Sequence, residues 1–385
     1  MKNNKVITMV TIIAVIVIAA VFFGVNYLID TYVNQQRATQ SGNQVSVSGK
    51  AAAGQAVSPA YGLIMVTMDS PEESGVCGET LEWYYKDEVL VITGTGEMDE
   101  YISTAGNAPW YSLKSRIELV ILDEGVTSIG GAAFQDCVNM TEIVLSSSLV
   151  YIGESAFSGC SGLVQIELPV GVIGIEESAF KGCSGLRNIV LSDGITSIAN
   201  RAFSGCSGLK KIDLPDSITM IGEFAFSGCS SLTEIMIPDG VTSIRRGMFS
   251  NCSGLCDIVI PDGVMGISKS AFENCKGLTE VTLPDSIISI GNSAFYNCCA
   301  LTEIRIPDSV TCIGEDAFRN CKSLTEITIP DSVTSIGKHA FACCSSLAKI
   351  TLPDSVTSIV EGAFSGCSGL TEITLPDSVT SIGEV

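Results

Sequence analysis

The sequence predicts a repeat solenoid with a 23-residue period, mostly β with short helical or 3-10 turns, preceded by one transmembrane helix and a flexible stalk. Three columns of residues predict it. Phenylalanine recurs every 23 residues from Phe134 to Phe364 without an insertion, eleven times in all. A cysteine stands three residues after each, from Cys137 to Cys367, and an isoleucine column runs unbroken from Ile129 to Ile382. One such unit cannot bury its apolar side chains alone, whereas stacked units make a continuous core.

The elements follow in chain order. Lys2 and Lys5 precede residues 6–28, which are uncharged, almost wholly apolar and, at 23 residues, long enough for a hydrocarbon core of ~30 Å. The positive charges place residues 1–5 in the cytoplasm and make 6–28 a transmembrane signal-anchor. The rival reading is a cleaved secretory signal; its apolar region is long, and no small-x-small site closes it before Asn26. Either way the repeats are exported. Residues 29–75 are rich in Gln, Ser, Gly, Ala and Thr and read as a flexible extracellular linker, with Leu63 to Thr67 as a candidate strand.

Residues 76–117 read as an N-terminal cap, in which Trp110-Tyr111 falls where the 23-residue count places a first phenylalanine. Gly94 to Asp99 (GTGEMD) follows the strand-like Val89 to Ile92 and, with no helix after it, reads as a hairpin turn rather than a phosphate loop.

Residues 118–385 are the solenoid, with the last repeat incomplete. Within a unit, Leu370, Ile373 and Leu375 alternate as a short half-buried strand should. Pro376 lacks a ladder donor and stops it, as do Pro169, Pro215, Pro238, Pro261, Pro284, Pro307, Pro330 and Pro353 in other copies. The glycine after the invariant isoleucine gives way to Val360, so a positive φ is preferred there rather than obligatory. Ala-Phe-x-x-Cys is too short for a full helix and predicts a single helical or 3-10 turn on the outer wall.

The pattern x-Ala-Phe-x-x-Cys-x-x-Leu-x-x-Ile-x-Leu-Pro resembles BspA-type leucine-rich repeats, found on surface proteins of bacteria and some protozoan parasites. The likeness covers roughly residues 77 to 385, and the stretch from Cys77 to Tyr101 with Ala108-Pro109-Trp110 is similar to the cap that often precedes such repeats. It implies a leucine-rich repeat fold and either a role in adhesion to host matrix or other cells or, as for other members, no known activity; it implies no particular ligand.

Charge bounds the partner. The chain carries 21 Lys and Arg against 42 Asp and Glu, a net −21, which argues against nucleic acid and anionic membrane surfaces. The aspartates after the prolines, such as Asp216 and Asp377, are good turn residues. The glutamates on the strands face outward, as a solvated face or as part of a ligand surface. These columns lack the Gly/Asp spacing of a calcium loop. Eleven of the sixteen cysteines occupy one repeat position, where parallel side chains have the wrong mutual direction for a bridge and act as small buried hydrophobes. With no CxxC pair and one histidine, His339, zinc and other metal sites are not expected, nor is a cofactor. His339 reads as an exposed loop residue, and no GxSxG or HExxH motif accompanies it.

The outward strand positions create a ladder. Its second column varies more in the middle copies than in the last ones, and there Met236 and Val259 are flanked by Glu234, Asp257 and Arg305. That face, comprising Glu234, Met236, Asp257, Val259, Glu280, Thr282, Glu303 and Arg305, is the candidate partner-binding surface; drift among duplicated units is the competing account. The chain stops at Val385, before an Ala-Phe-x-x-Cys turn, which implies either truncation or end-to-end self-association through the uncapped last strand. The expectation is a non-catalytic surface protein that binds an extracellular protein or glycan. The alternative is a structural spacer without a specific ligand, which the near-identical copies favour.

Overall fold

The described residues open with four strands, β1 (Glu73–Val76), β2 (Leu81–Lys86), β3 (Val89–Gly94) and β4 (Leu119–Leu122); apolar residues alternate in β2 and cluster in β3 and β4, whereas β1 is exposed throughout. This is a computed structural model, and it describes residues 70–101 and 107–383. The apolar segment 6–28 and the candidate strand at Leu63 to Thr67 lie outside the described residues. Among the described residues no helix is long and apolar enough to cross a membrane.

β1, β2 and β3 pair antiparallel, and β3 then pairs parallel with β4, which pairs parallel with the first repeat strand, Glu142–Val144. The hairpin between β2 and β3 turns on Asp87 and Glu88, with φ of 47° and 69°. Two consecutive positive φ values give the turn the hand that matches strand twist. The GTGEMD stretch is therefore not the hairpin. Gly94 and Gly96, at φ 110° and 112°, bend the chain out of β3 toward its parallel neighbour, and a Cβ on Gly94 would lie 2.1 Å from the Thr80 carbonyl.

The aromatic column begins one residue earlier than the count places it. Trp110, not Tyr111, is buried and stacks on Phe134 at 5.6 Å, while Tyr111 faces solvent under the Lys114 ammonium. The 3-10 turn Tyr111–Leu113 shifts the register. From Phe134 to Phe364 each ring stacks on the next at 5.2–5.8 Å with planes 3–16° apart.

A representative turn buries Leu301, Ile304, Ile306, Val310, Ile313, Ala317, Phe318 and Cys321. Three ladders hold successive turns together. The first is the predicted parallel strand, seen for example in Glu326–Thr328 beside Lys349–Thr351 beside Glu372–Thr374. The second runs through the isoleucine column as two-residue strands, such as Ser289–Ile290 beside Cys312–Ile313. The third lies on the outer wall, where alternate N–H groups close short i to i−3 turns, as from Ser158 to the Ser155 carbonyl at 3.0 Å, in place of a continuous helical segment. There every second N–H leaves its own turn: Ser155, Phe157 and Gly159 donate to the carbonyls of Glu177, Ala179 and Lys181 at 2.7–2.9 Å.

That third ladder decides where backbone strain sits. Positive φ falls two residues before each phenylalanine (Ser155, Arg201, Phe224, His339) and two after it (Gly159, Asn251, Asn320, Cys343), not at the glycine after the isoleucine. That glycine serves close approach instead, since a Cβ on Gly314 would lie 2.5 Å from the Asn292 backbone nitrogen. Asparagine tolerates the left-handed region, and the amides of Asn251, Asn274 and Asn297 also bond one another in a row at 2.8–3.0 Å.

The turn residues work across repeats. Each proline carbonyl accepts the N–H three residues on, as from Val333 to Pro330 at 3.0 Å. The serine between them donates its hydroxyl to the turn before, as from Ser332 Oγ to the Val310 carbonyl at 2.6 Å.

Candidate functional site

The outward residues of the first ladder point away from the core because strand side chains alternate. Ile235 and Ile258 are buried, so Glu234 with Met236 and Asp257 with Val259 are exposed. The parallel register sets Glu234 opposite Asp257 and Met236 opposite Val259, and a single bridge carries the pairing on to Thr282. Met236 and Val259 are 78% and 62% exposed, far above their buried neighbours. Glu280, Thr282, Glu303 and Arg305 are exposed as well. The eight residues thus share one face.

The strand ladder is interrupted within this face. Among the described residues, Lys211–Asp213 and Glu303–Arg305 have no strand pairing to either side. A groove lies at each interruption. The first, of 270 Å³, is floored by Ile212, Ile235 and Ile258 and walled by Lys211, Asp213, Glu234, Met236, Asp257 and Val259. The second, of 620 Å³, runs past Glu280, Thr282, Glu303, Arg305, Asp308 and Glu326.

The grooves divide the candidate residues into two sets: Glu234, Met236, Asp257 and Val259 in the first, Glu280, Thr282, Glu303 and Arg305 in the second. Lys211 is not singled out from the sequence, where Glu326 counts only as one of the outward glutamates and Asp308 only as one of the turn aspartates. Lys211 was legible as the position where a lysine breaks the acidic column, whereas Asp308 has the look of any other turn aspartate.

Both grooves carry more negative than positive charge. In the first, the Lys211 ammonium lies 3.1 Å from Asp213 and 4.0 Å from Glu234. Its hydrogen bond to Asp213, and then the nearby negative charge, hold its pKa above the usual lysine range. In the second, Arg305 reaches Asp285 at 3.7 Å. All these groups are open to solvent, so each pair contributes little to folding.

Other chemistry-bearing residues sit elsewhere. The thiols of the cysteine column are not bare hydrophobes: each from Cys160 to Cys367 donates to the phenylalanine carbonyl of the preceding turn at 3.0–3.3 Å. Burial pushes the thiols of Cys137 and Cys252 up to about 12. They stay protonated and unreactive at neutral pH. Cys256 is exposed, and Cys299, Cys312, Cys343 and Cys367 are half-buried.

His339 is also half-buried rather than a free loop residue. It takes one of the positive-φ positions of the outer ladder, with Nδ1 4.0 Å from Asp316. Asp316 is itself bonded by Arg319 at 3.1 Å. Among the described residues no three His, Cys, Asp or Glu side chains are grouped to hold a metal ion.

The model of the BspA type leucine-rich repeat region, six copies long, matches residues 107–196, 174–298 and 288–385. Among solved structures, a leucine-rich repeat protein from Bacteroides ovatus is similar at 28% identity and a TM-score of 0.59, over 80% of this chain and 90% of that one. One from Eubacterium ventriosum is similar at 26% identity and a TM-score of 0.55, over 81% and 93%. The pneumococcal vaccine antigen PcpA, at 19% identity and a TM-score of 0.53 over 81% and 94%, shares the fold. Among curated proteins none matches the chain.

Proposed function

Because this chain belongs to the BspA-type leucine-rich repeat family, whose units present long surfaces rather than enclosed pockets, we propose that it is a non-catalytic binding module. Its strand face, from Glu234 to Arg305, meets an extracellular protein or glycan. One observation carries this reading. Met236 and Val259, the large apolar side chains of the middle rungs, stand beside each other and exposed on the wall of a groove. An exposed apolar pair rimmed by charge is the pattern of an interaction site. Drift among duplicated units has no reason to place the pair at a groove.

The apolar, uncharged run 6–28 supports attachment to a membrane with the repeats outside, and the linker 29–75 would hold them clear of it. In that setting the protein works in adhesion or as a receptor-like module. The uniform threonines of the last rungs, Thr328, Thr351 and Thr374, favour a second reading for that end of the solenoid, a spacer that raises the middle rungs.

The test is capture from matrix proteins, cell extracts and a glycan array by the immobilised full chain, compared with Met236→Lys/Val259→Lys. Both side chains are exposed, so the variant should fold. A saturable partner lost by the variant supports the reading. A partner held equally by both proteins moves the site, and no partner at all, with circular dichroism showing a folded chain, leaves the spacer.

A further inference from the structure

The chemistry of the strand face narrows the partner. This rests on the reading of that face as a binding surface. Five consecutive rungs carry a carboxylate at the same position: Glu234, Asp257, Glu280, Glu303 and Glu326, all exposed. Rungs of a parallel ladder are ~4.8 Å apart, so the row extends over roughly 19 Å. The neighbouring column supplies Met236 and Val259 beside the first two carboxylates. Only Arg305 among those five rungs is cationic on this face, and Asp285 engages it at 3.7 Å.

Three consequences follow. A row of five carboxylates, with one lysine, Lys211, 4.0 Å from Glu234 at its edge, attracts positive charge and repels a second copy of a chain whose net charge is −21. The apolar pair asks for an aliphatic side chain next to that positive charge. A sugar surface usually needs a flat aromatic face beneath it, and neither outward column of the strand face holds an aromatic residue from Glu142 to Thr374. We infer that the occupant of this face is a stretch of polypeptide carrying lysine or arginine beside aliphatic side chains, laid along the rungs from Glu234 to Glu326.

Such a segment needs no pocket deeper than the two grooves. About 8 extended residues span roughly 26 Å, enough to cover the row. Long lysine and arginine stems can lie along the apolar pair while their charges meet the carboxylates.

The test uses the full chain and three fluorescein-labelled peptides of about 8 residues: Lys alternating with Leu, Glu alternating with Leu, and Lys alternating with Ser. The Lys/Leu peptide should bind saturably, weaken about tenfold or more between about 0.05 and 0.3 M salt, and fall to background on Glu280→Lys/Glu303→Lys. The Glu/Leu peptide should not bind, and the Lys/Ser peptide should bind more weakly than Lys/Leu. Equal binding of the Glu/Leu peptide would overturn the inference. So would full retention of Lys/Leu binding by the charge-reversed chain, since the attraction would then come from acidic residues elsewhere. A captured partner that is lost by Met236→Lys/Val259→Lys, but is indifferent to salt and to Glu280→Lys/Glu303→Lys, would overturn the cationic occupant and leave the binding module standing.

Discussion

Phe226→Ala removes one ring from the middle of the aromatic stack. Phe226 has no exposed surface and lies between Phe203 at 5.5 Å and Phe249 at 5.7 Å. Emptying a fully buried phenylalanine site costs about 3–5 kcal/mol. The two ring contacts account for roughly 1–3 kcal/mol of that. The backbone bonds of the turn need not break, because the Phe226 N–H still reaches the Met248 carbonyl at 3.0 Å and its own carbonyl still accepts the Cys252 thiol at 3.1 Å. The defect is therefore one of packing.

Phe226→Leu keeps most of the apolar volume and should cost roughly 1–2 kcal/mol. Urea unfolding of the full chain, followed by far-ultraviolet circular dichroism, gives the global loss. Labelling of Cys229 and Cys252 below the transition gives the local one, since both thiols border the emptied site and should react faster in the alanine variant. A loss below about 1 kcal/mol for Phe226→Ala would refute the stack as a source of stability. A leucine variant as damaged as the alanine one would refute the packing account of its cost.

Trp110→Phe keeps the first ring of the stack but deletes the indole N–H, which donates to the Ala133 carbonyl at 2.8 Å in a buried setting; a loss of about 1–3 kcal/mol in urea unfolding is expected, and an unchanged midpoint would show that the carbonyl does not need this donor. Alkaline pH should unfold the chain steeply. Burial raises the folded pKa of Cys137 and Cys252 from 9.0 to about 12, so their contribution is complete below pH 9 and is lost as pH rises from 9 toward 12, up to about 4 kcal/mol for each thiol. The check is chemical denaturation at a series of pH values, and stability that stays level between about pH 9 and 11 would contradict it.

Much of this fold was legible in the residues because each repeat meets the same neighbours as the last. Phe134 to Phe364, the cysteines three residues on and the invariant isoleucines are buried in nearly every turn, as a fixed period without insertions requires. Leu-x-x-Ile-x-Leu before proline set the strand and the face it exposes, so the eight candidate residues do share one surface. The same residues pointed to the BspA-type family that the comparisons identify.

Other features depended on contacts between turns that no single repeat displays. The outer wall joins its short turns by a ladder of alternate N–H groups, and its positive-φ positions are hard to see because Ser155, Arg201, Phe224, Asp316 and His339 fill one of them. The ladder on both sides holds that conformation whatever the side chain. Trp110 displaced Tyr111 because the cap enters through a 3-10 turn that does not keep the 23-residue count. The grooves at Lys211–Asp213 and Glu303–Arg305 depend on where pairing lapses between neighbouring strands. The sequence by itself determined the period, the core columns and the outward face, since these follow from alternation and repetition along the chain. Only the tertiary structure decided which turns pair, which glycines must stay small and where the face opens, since each of these depends on the distance between one turn and the next.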